Sequence, residues 1–327
     1  MSYEYTGSLA EDISGLIAEK TACGYAYTSS ASMLRRFDVF TSEHYPDATT
    51  VTREMAHFWA RRLETESAAS LLNRIKPVRQ LALYMSRMGK EAYALEQGWF
   101  ARPEEPKRHI FSKLELALFF KAADDYPPCW KNPSRNIVAP ALFRTIYCCG
   151  LRPCEATRLK VGDVDTKDGS ITIYQAKGDK DRVVYASDDL RGMLAKYNSE
   201  IAEAQPHRSA FFPNWQGNHI SIWNAEDWFD ELWYSLPDPV CKTQKKPSLQ
   251  SFRHTFACER IRLWSKEGKD LRSVIYYLSE YMGHDSFRET EYYLHFLPER
   301  FPDLLEKAKA VSEAVLPEVM AYVVEKG

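Results

Sequence analysis

From Tyr25 to about Leu95 the apolar residues fall at three- and four-residue spacings: Leu34, Phe37 and Phe40, then Met55, Phe58, Trp59 and Leu63. That period lines one face of a helix, so residues 26–95 read as a helical domain. Residues 1–25 carry no strong pattern and read as an arm or a short helix. Within Ser67–Lys90, one side is apolar (Leu71, Leu72, Ile75, Val78, Leu81, Leu83, Met85). Arg74, Lys76, Arg79, Arg87 and Lys90 project from another side, and the window holds no acidic residue. Pro77 lacks the N–H that an inner helical turn needs, so it predicts a break or kink and two helices compete with one here.

The segment 96–110 holds two prolines and a charge run, the composition of an interdomain linker. A second domain, 111–300, then opens with Ser112 and Glu115, a capping box for a helix Lys113–Ala123. An apolar helix runs from about Ile137 to Cys149 and stops at Gly150. Ser170–Gln175 alternates as a strand, Arg182–Ala186 reads as a second, and Lys177-Gly178-Asp179-Lys180-Asp181 between them has hairpin-turn composition. The rest is mainly helical, through Asp230, Thr255–Lys266, Leu271–Met282 and an amphipathic stretch Leu305–Val324 within 301–327. The fold class is mainly α with a small antiparallel β-sheet.

Composition narrows the field. An apolar fraction of 45% and a charged fraction of 27% in 327 residues are ordinary for a folded two-domain protein and exclude a disordered chain. No apolar run approaches the roughly 18 residues that cross a bilayer, and the acidic N-terminal stretch lacks the core of a signal peptide; a cytoplasmic protein is expected. The net charge of −2 excludes a wholesale polycation but not a local basic surface. Seven cysteines without regular spacing read as reduced thiols, and no CxxC, HExxH or carboxylate cluster marks a metal site.

Four separated segments carry candidate chemistry. They are Gly150-Leu151-Arg152-Pro153-Cys154-Glu155, the hairpin Ala176–Val184, Leu249-Gln250-Ser251-Phe252-Arg253-His254-Thr255-Phe256-Ala257, and Tyr281-Met282-Gly283-His284 with Tyr293-Leu294-His295 after it. In order and spacing they resemble the catalytic domain of the tyrosine recombinase (phage integrase) family, Xer-type enzymes and mobile-element integrases included. The helical region before the linker resembles that family's SAM-like core-binding domain.

The resemblance implies an α+β catalytic domain and a role for each matching residue. Arg152 and Arg253 match the family's two arginines, and a guanidinium can grip the equatorial oxygens of an attacked phosphate bidentately at any working pH. Lys177 matches the lysine that protonates the departing 5′ oxygen, with Lys180 the competing candidate. Glu155 matches a supporting acidic residue that orients a cation, and His284 a donor to the phosphate. Gln250 stands where the family usually has histidine; its amide can hydrogen-bond a phosphoryl oxygen but cannot titrate. His254 beside Arg253 fits the motif as a packing or hinge residue. Tyr293 takes the nucleophile's place, with neighbouring Tyr292 pointing about 100° away on a helix.

The resemblance further implies attack that leaves a 3′-phosphotyrosine and a free 5′-hydroxyl, without metal or cofactor. The partner is a double-stranded DNA site, clamped by both domains, with Arg74, Lys76, Arg79 and Arg87 as DNA contacts. Homo- or hetero-tetramers on DNA and accessory recombinases are expected, and the C-terminal helix serves either subunit exchange or an ordinary core. Two alternatives stand beside recombination: a catalytically impaired DNA-binding partner of another recombinase, and a type IB topoisomerase-like strand breaker.

Overall fold

The structure is a computed structural model that describes residues 3–96, 98, 108–174, 181–237, 240, 246–284, 289, 290 and 293. The turn residues Lys177 and Lys180, Tyr292, Leu294, His295, most of the 96–110 linker and the whole 301–327 segment lie outside the described residues. The chain divides into two compact units, 1–106 and 107–327.

The first unit is helical: α1 (Ala10–Ala22), α2 (Thr28–His44), α3 (Arg53–Trp59) and α4 (Ala68–Arg87). Thr52 and Ser67 cap α3 and α4, each hydroxyl accepting an N–H from the first turn. Residues 1–25 are no detached arm. Leu9, Ile13 and Leu16 are fully buried with Leu34, Phe37, Trp59, Ile75 and Leu81. The carboxylate of Asp38 accepts the N–H groups of Thr6 and Gly7, which fastens the chain ahead of α1.

Pro77 neither ends nor divides α4, which runs through it for 20 residues. The proline costs one backbone hydrogen bond, and buried side chains on both sides of it (Leu71, Ile75, Val78, Leu81, Met85) hold the helix together.

The second unit is built on α5 (Lys113–Asp124), α6 (Arg135–Cys149), α7 (Pro153–Thr157), β1 (Ser170–Ile173), β2 (Arg182–Tyr185), α8 (Asp188–Ala204), α9 (Ile222–Ser235), α10 (Leu249–Lys266) and α11 (Leu271–Met282). The expected capping box at Ser112 and Glu115 is formed. β1 and β2 pair antiparallel, with Ser170 opposite Tyr185 and Ile173 opposite Arg182. An aromatic core of Phe111, Phe119, Phe143, Phe229 and Phe252 ties α5, α6, α9 and α10 together. The central helix α10 starts at Leu249, a turn and a half earlier than the periodicity predicts. The Ser251 hydroxyl accepts the Ser248 N–H at 3.0 Å and closes that first turn. Gln250, Arg253 and His254 therefore sit on a rigid helix rather than in the loop before one.

Candidate active site

The site assembles where three helix ends meet. α6 stops at Gly150, which adopts φ +61°; a Cβ there would lie 2.4 Å from the Phe256 ring, so both backbone and space demand glycine. Two residues on, Arg152 caps α7 with Pro153 at its first position. The Glu155 carboxylate turns back to accept the Arg152 backbone N–H (2.9 Å) and its guanidinium Nη1 (2.9 Å).

The end of α11 is held by three guanidiniums. Its last carbonyls lack partners within the helix. Arg182 Nε donates to Tyr281 O (3.0 Å), Arg253 Nη2 to Met282 O (2.7 Å) and Arg152 Nη2 to Gly283 O (2.6 Å). Gly283 turns the chain at φ +63°, and a Cβ there would meet the Arg182 guanidinium at 2.9 Å. Arg253 is 1% exposed and gives Nη1 to Gly150 O (2.8 Å), so one side chain ties the ends of α6 and α11 to the middle of the unit. Burial, then the Arg152 charge, lowers the Arg253 pKa to about 10, which leaves it protonated at neutral pH.

Tyr293 closes the cluster. It is 2% exposed, its hydroxyl lies 3.0 Å from His254 Nδ1, and its ring stacks on His284 at 21°. His284 Nδ1 in turn meets the Thr290 hydroxyl at 2.7 Å, and its Nε2 is 4.0 Å from Glu289. Burial raises the Tyr293 phenol to about 12 although Arg253 pulls it down. Burial, with help from Arg108 and Arg253, lowers His254 to about 3. Both shifts disfavour transfer of the phenol proton to His254. In this state Tyr293 keeps its proton.

Of the residues read from the sequence, Arg152, Glu155, Arg253, His284 and Tyr293 thus come together in one cluster. Gln250 lies on the first turn of α10, half-buried and one turn before Arg253. Lys177 falls outside the described residues. His254, expected as a packing or hinge residue, is buried and also meets the Tyr293 hydroxyl, a contact set by a residue 39 positions away. Arg182, Glu289 and Thr290 also join the site without having been singled out. Beside the cluster, a groove lined by Arg152, Glu155, Arg158, Lys160, Thr172 and Tyr174 exposes the cations Arg158 and Lys160.

The basic helix α4 needs correction. Arg74 is 5% exposed and faces inward, paired to Glu66 at 2.7 Å and donating to the carbonyls of Trp59 and Arg61. Arg79 holds the Leu95 carbonyl at 2.7 Å, and Arg87 grips both oxygens of Glu19. Of the four named cations, Lys76 is the one that is exposed and without a partner among the described residues. The window lacks acids in sequence, but Glu66 and Glu19 reach it in space.

The family model described as the phage integrase family matches residues 119–300. A Sinorhizobium fredii protein named as an integrase/recombinase is 29% identical over 88% of this chain and 91% of its own length. The tyrosine recombinase XerA of Thermococcus kodakarensis is 28% identical over 51% of this chain and 54% of its own. Among solved structures, the XerH site-specific recombinase bound to a palindromic difH substrate superposes with TM-score 0.61 at 21% identity, covering 87% of this chain and 79% of that one. The Tn1549 transposon integrase in complex with transposon right-end DNA gives 0.63 at 12% identity, covering 94% and 99%. These two share the fold. The family match spans more than half of the 327 residues, and with it the kinship is plain: the chain belongs to the phage integrase family and is a site-specific tyrosine recombinase.

Proposed function

We propose that this chain breaks and rejoins double-stranded DNA through a covalent bond to Tyr293. The observation that carries the reading is the Tyr293 hydroxyl, held on His254 within the cluster that contains Arg152, Arg253 and His284. The phenol, once uncovered, gives its proton to solvent water and its oxygen bonds to phosphorus. The bond from phosphorus to the 5′ oxygen breaks, and that oxygen takes a proton from Lys177, the donor the family resemblance implies. The phosphoryl charge that grows on the way is met by the two arginine guanidiniums and His284, fixed before the reaction begins. The phosphodiester energy is kept in the 3′-phosphotyrosine, so a 5′-hydroxyl from another strand can reverse the step and join.

Side chains 2% and 1% exposed cannot meet a phosphate, so docking of DNA must uncover both Tyr293 and Arg253. Moving the phenol out of its dry setting and toward the guanidiniums lowers its pKa from both causes at once. The groove past Arg158 and Lys160 supplies backbone contacts, with Lys76 a contact from the first unit. Action as a tetramer on two duplexes, with the 301–327 segment exchanged between subunits, fits the same reading.

The test is covalent capture on nicked duplexes tiled across the DNA that flanks the gene. The intact chain should leave a denaturant-resistant protein–DNA band, and Tyr293→Phe should lose that band while still shifting the DNA. A band retained by Tyr293→Phe, or no band from the intact chain on any tile, overturns the reading. The second result would favour a DNA-binding partner without catalytic activity.

A further inference from the structure

Glu155 serves two arginines at once. Arg152 reaches it through the backbone N–H and Nη1, both at 2.9 Å. Arg182, on the first residue of β2, lays its fork across the same carboxylate, Nη1 on Oε1 at 3.0 Å and Nη2 on Oε2 at 2.7 Å. The Arg182 side chain is 10% exposed and that of Glu155 7%. A buried carboxylate with a single cationic partner would spend that partner's charge fully on itself. Here the bidentate pair is with Arg182, whereas Arg152 gives Glu155 Nη1 alone and turns Nη2 to the neutral Gly283 carbonyl, so its charge is only partly met by a carboxylate. The second carboxylate near Arg152, Glu289, lies farther off at 3.9 Å from Nη2.

We infer that Arg182 is a positioning residue: it takes up the charge of Glu155, and so leaves the charge of Arg152 for the phosphate under attack. The inference deepens the proposed reaction and rests on it. Two further observations agree. Burial works to raise the Glu155 pKa, and the hydrogen bonds and charge of Arg182 come next in size and hold it below the ordinary carboxylate range. Arg182 Nε also fastens the Tyr281 carbonyl at the root of the turn that carries His284, so one guanidinium registers both the first arginine and the third-motif histidine. Arg182 stands directly across the ladder from Ile173, so β2 sets its place and the hairpin becomes part of the pocket wall.

A charge-sharing role and a merely structural one give opposite results in a double-variant cycle. The assay is the single-turnover rate of covalent capture on a nicked duplex that the intact chain cleaves, at saturating protein, with affinity read separately by gel shift. Arg182→Met leaves Glu155 to Arg152 alone and should slow capture about 30-fold, with affinity changed less than about threefold, since loss of one transition-state donor costs about 10²–10³ and Arg182 acts one step removed. Adding Glu155→Gln removes the stranded charge and should recover at least a fivefold share of that loss. A structural defect would deepen with the second change, so a double variant no faster than Arg182→Met overturns the inference. So does capture by Arg182→Met at the intact chain's rate. If Arg182→Met does not fold, the double variant against Glu155→Gln decides: rates within about threefold support charge sharing, and a further tenfold loss overturns it. Tyr293→Phe runs alongside. Capture by that variant would sink the whole reaction scheme, whereas an unslowed Arg182→Met with a dead Tyr293→Phe sinks the role of Arg182 alone.

Discussion

Replacing Gly150 by alanine probes the hinge on which the site is built. The residue sits at φ +61°, where an L side chain costs roughly 1–2 kcal/mol. Its new Cβ would meet Phe256 ring atoms at 2.4, 2.7 and 3.0 Å. That ring is 7% exposed and stacked on Tyr281 at 21°, so it cannot swing away into solvent, and overpacking of this kind costs about 1–3 kcal/mol. Together about 3 kcal/mol is expected, or a fall of roughly 6–12 °C in the melting transition of a unit this size. Gly162→Ala is the matched control, because a Cβ there meets nothing within 4 Å and its φ is not positive; its melting temperature should move by less than about 2 °C. The assay is differential scanning calorimetry of the full chain. The Gly150 carbonyl also anchors Arg253 at 2.8 Å, so capture should fall along with stability. A Gly150→Ala protein that melts within about 2 °C of the original would refute the geometry argued for this turn.

Other perturbations follow the same logic. His254→Phe leaves the buried Tyr293 hydroxyl one partner short and should cost about 1–3 kcal/mol, seen as a lower melting temperature; an unchanged one would mean the 3.0 Å contact carries no weight. Arg74→Met leaves Glu66 and the carbonyls of Trp59 and Arg61 without their guanidinium and should destabilise the first unit by about 1–3 kcal/mol, read as a lower melting temperature. Lys76→Met should leave melting unchanged and lower the salt slope of DNA binding by about one; the reverse pattern would restore Arg74 as a DNA contact. Burial works against ionisation of Glu115, yet hydrogen bonds from His109 and Ser112 outweigh it and bring its pKa to about 2, below its ordinary 4.5. A depressed carboxylate gives stability that is complete above about pH 4.5 and lost as pH falls toward 2, so Glu115→Gln should flatten the acid limb of the stability curve over that window. An acid limb as steep in the variant as in the original would count against it.

Much of this was legible because it was written locally. Gly150, Ser112 with Glu115, and the alternation of the two strands are signals carried by adjacent residues, and each element formed where those signals put it. The four motif segments named residues by order and spacing alone, and Arg152, Glu155, Arg253, His284 and Tyr293 from them lie together in the structure. What escaped depends on separations that no window spans. Arg74 looked free because its acid, Glu66, stands eight positions away and outside the acid-free stretch. Arg182 looked like an ordinary strand residue because its partners, Glu155 and Tyr281, come from a helix start and a helix end. Pro77 looked like a breaker because a propensity argument weighs one lost hydrogen bond and not the burial on either side.

The three guanidiniums on the carbonyls of Tyr281, Met282 and Gly283 change what DNA has to do on arrival. An arginine free in solvent gives up about 2 kcal/mol of rotamer entropy when it is pinned, and three mutually repelling cations would resist being gathered by a phosphate. Here the negative end of the α11 dipole gathers them during folding. In the proposed reaction the nucleic acid would meet guanidiniums already ordered, and its binding energy would be left for uncovering Tyr293.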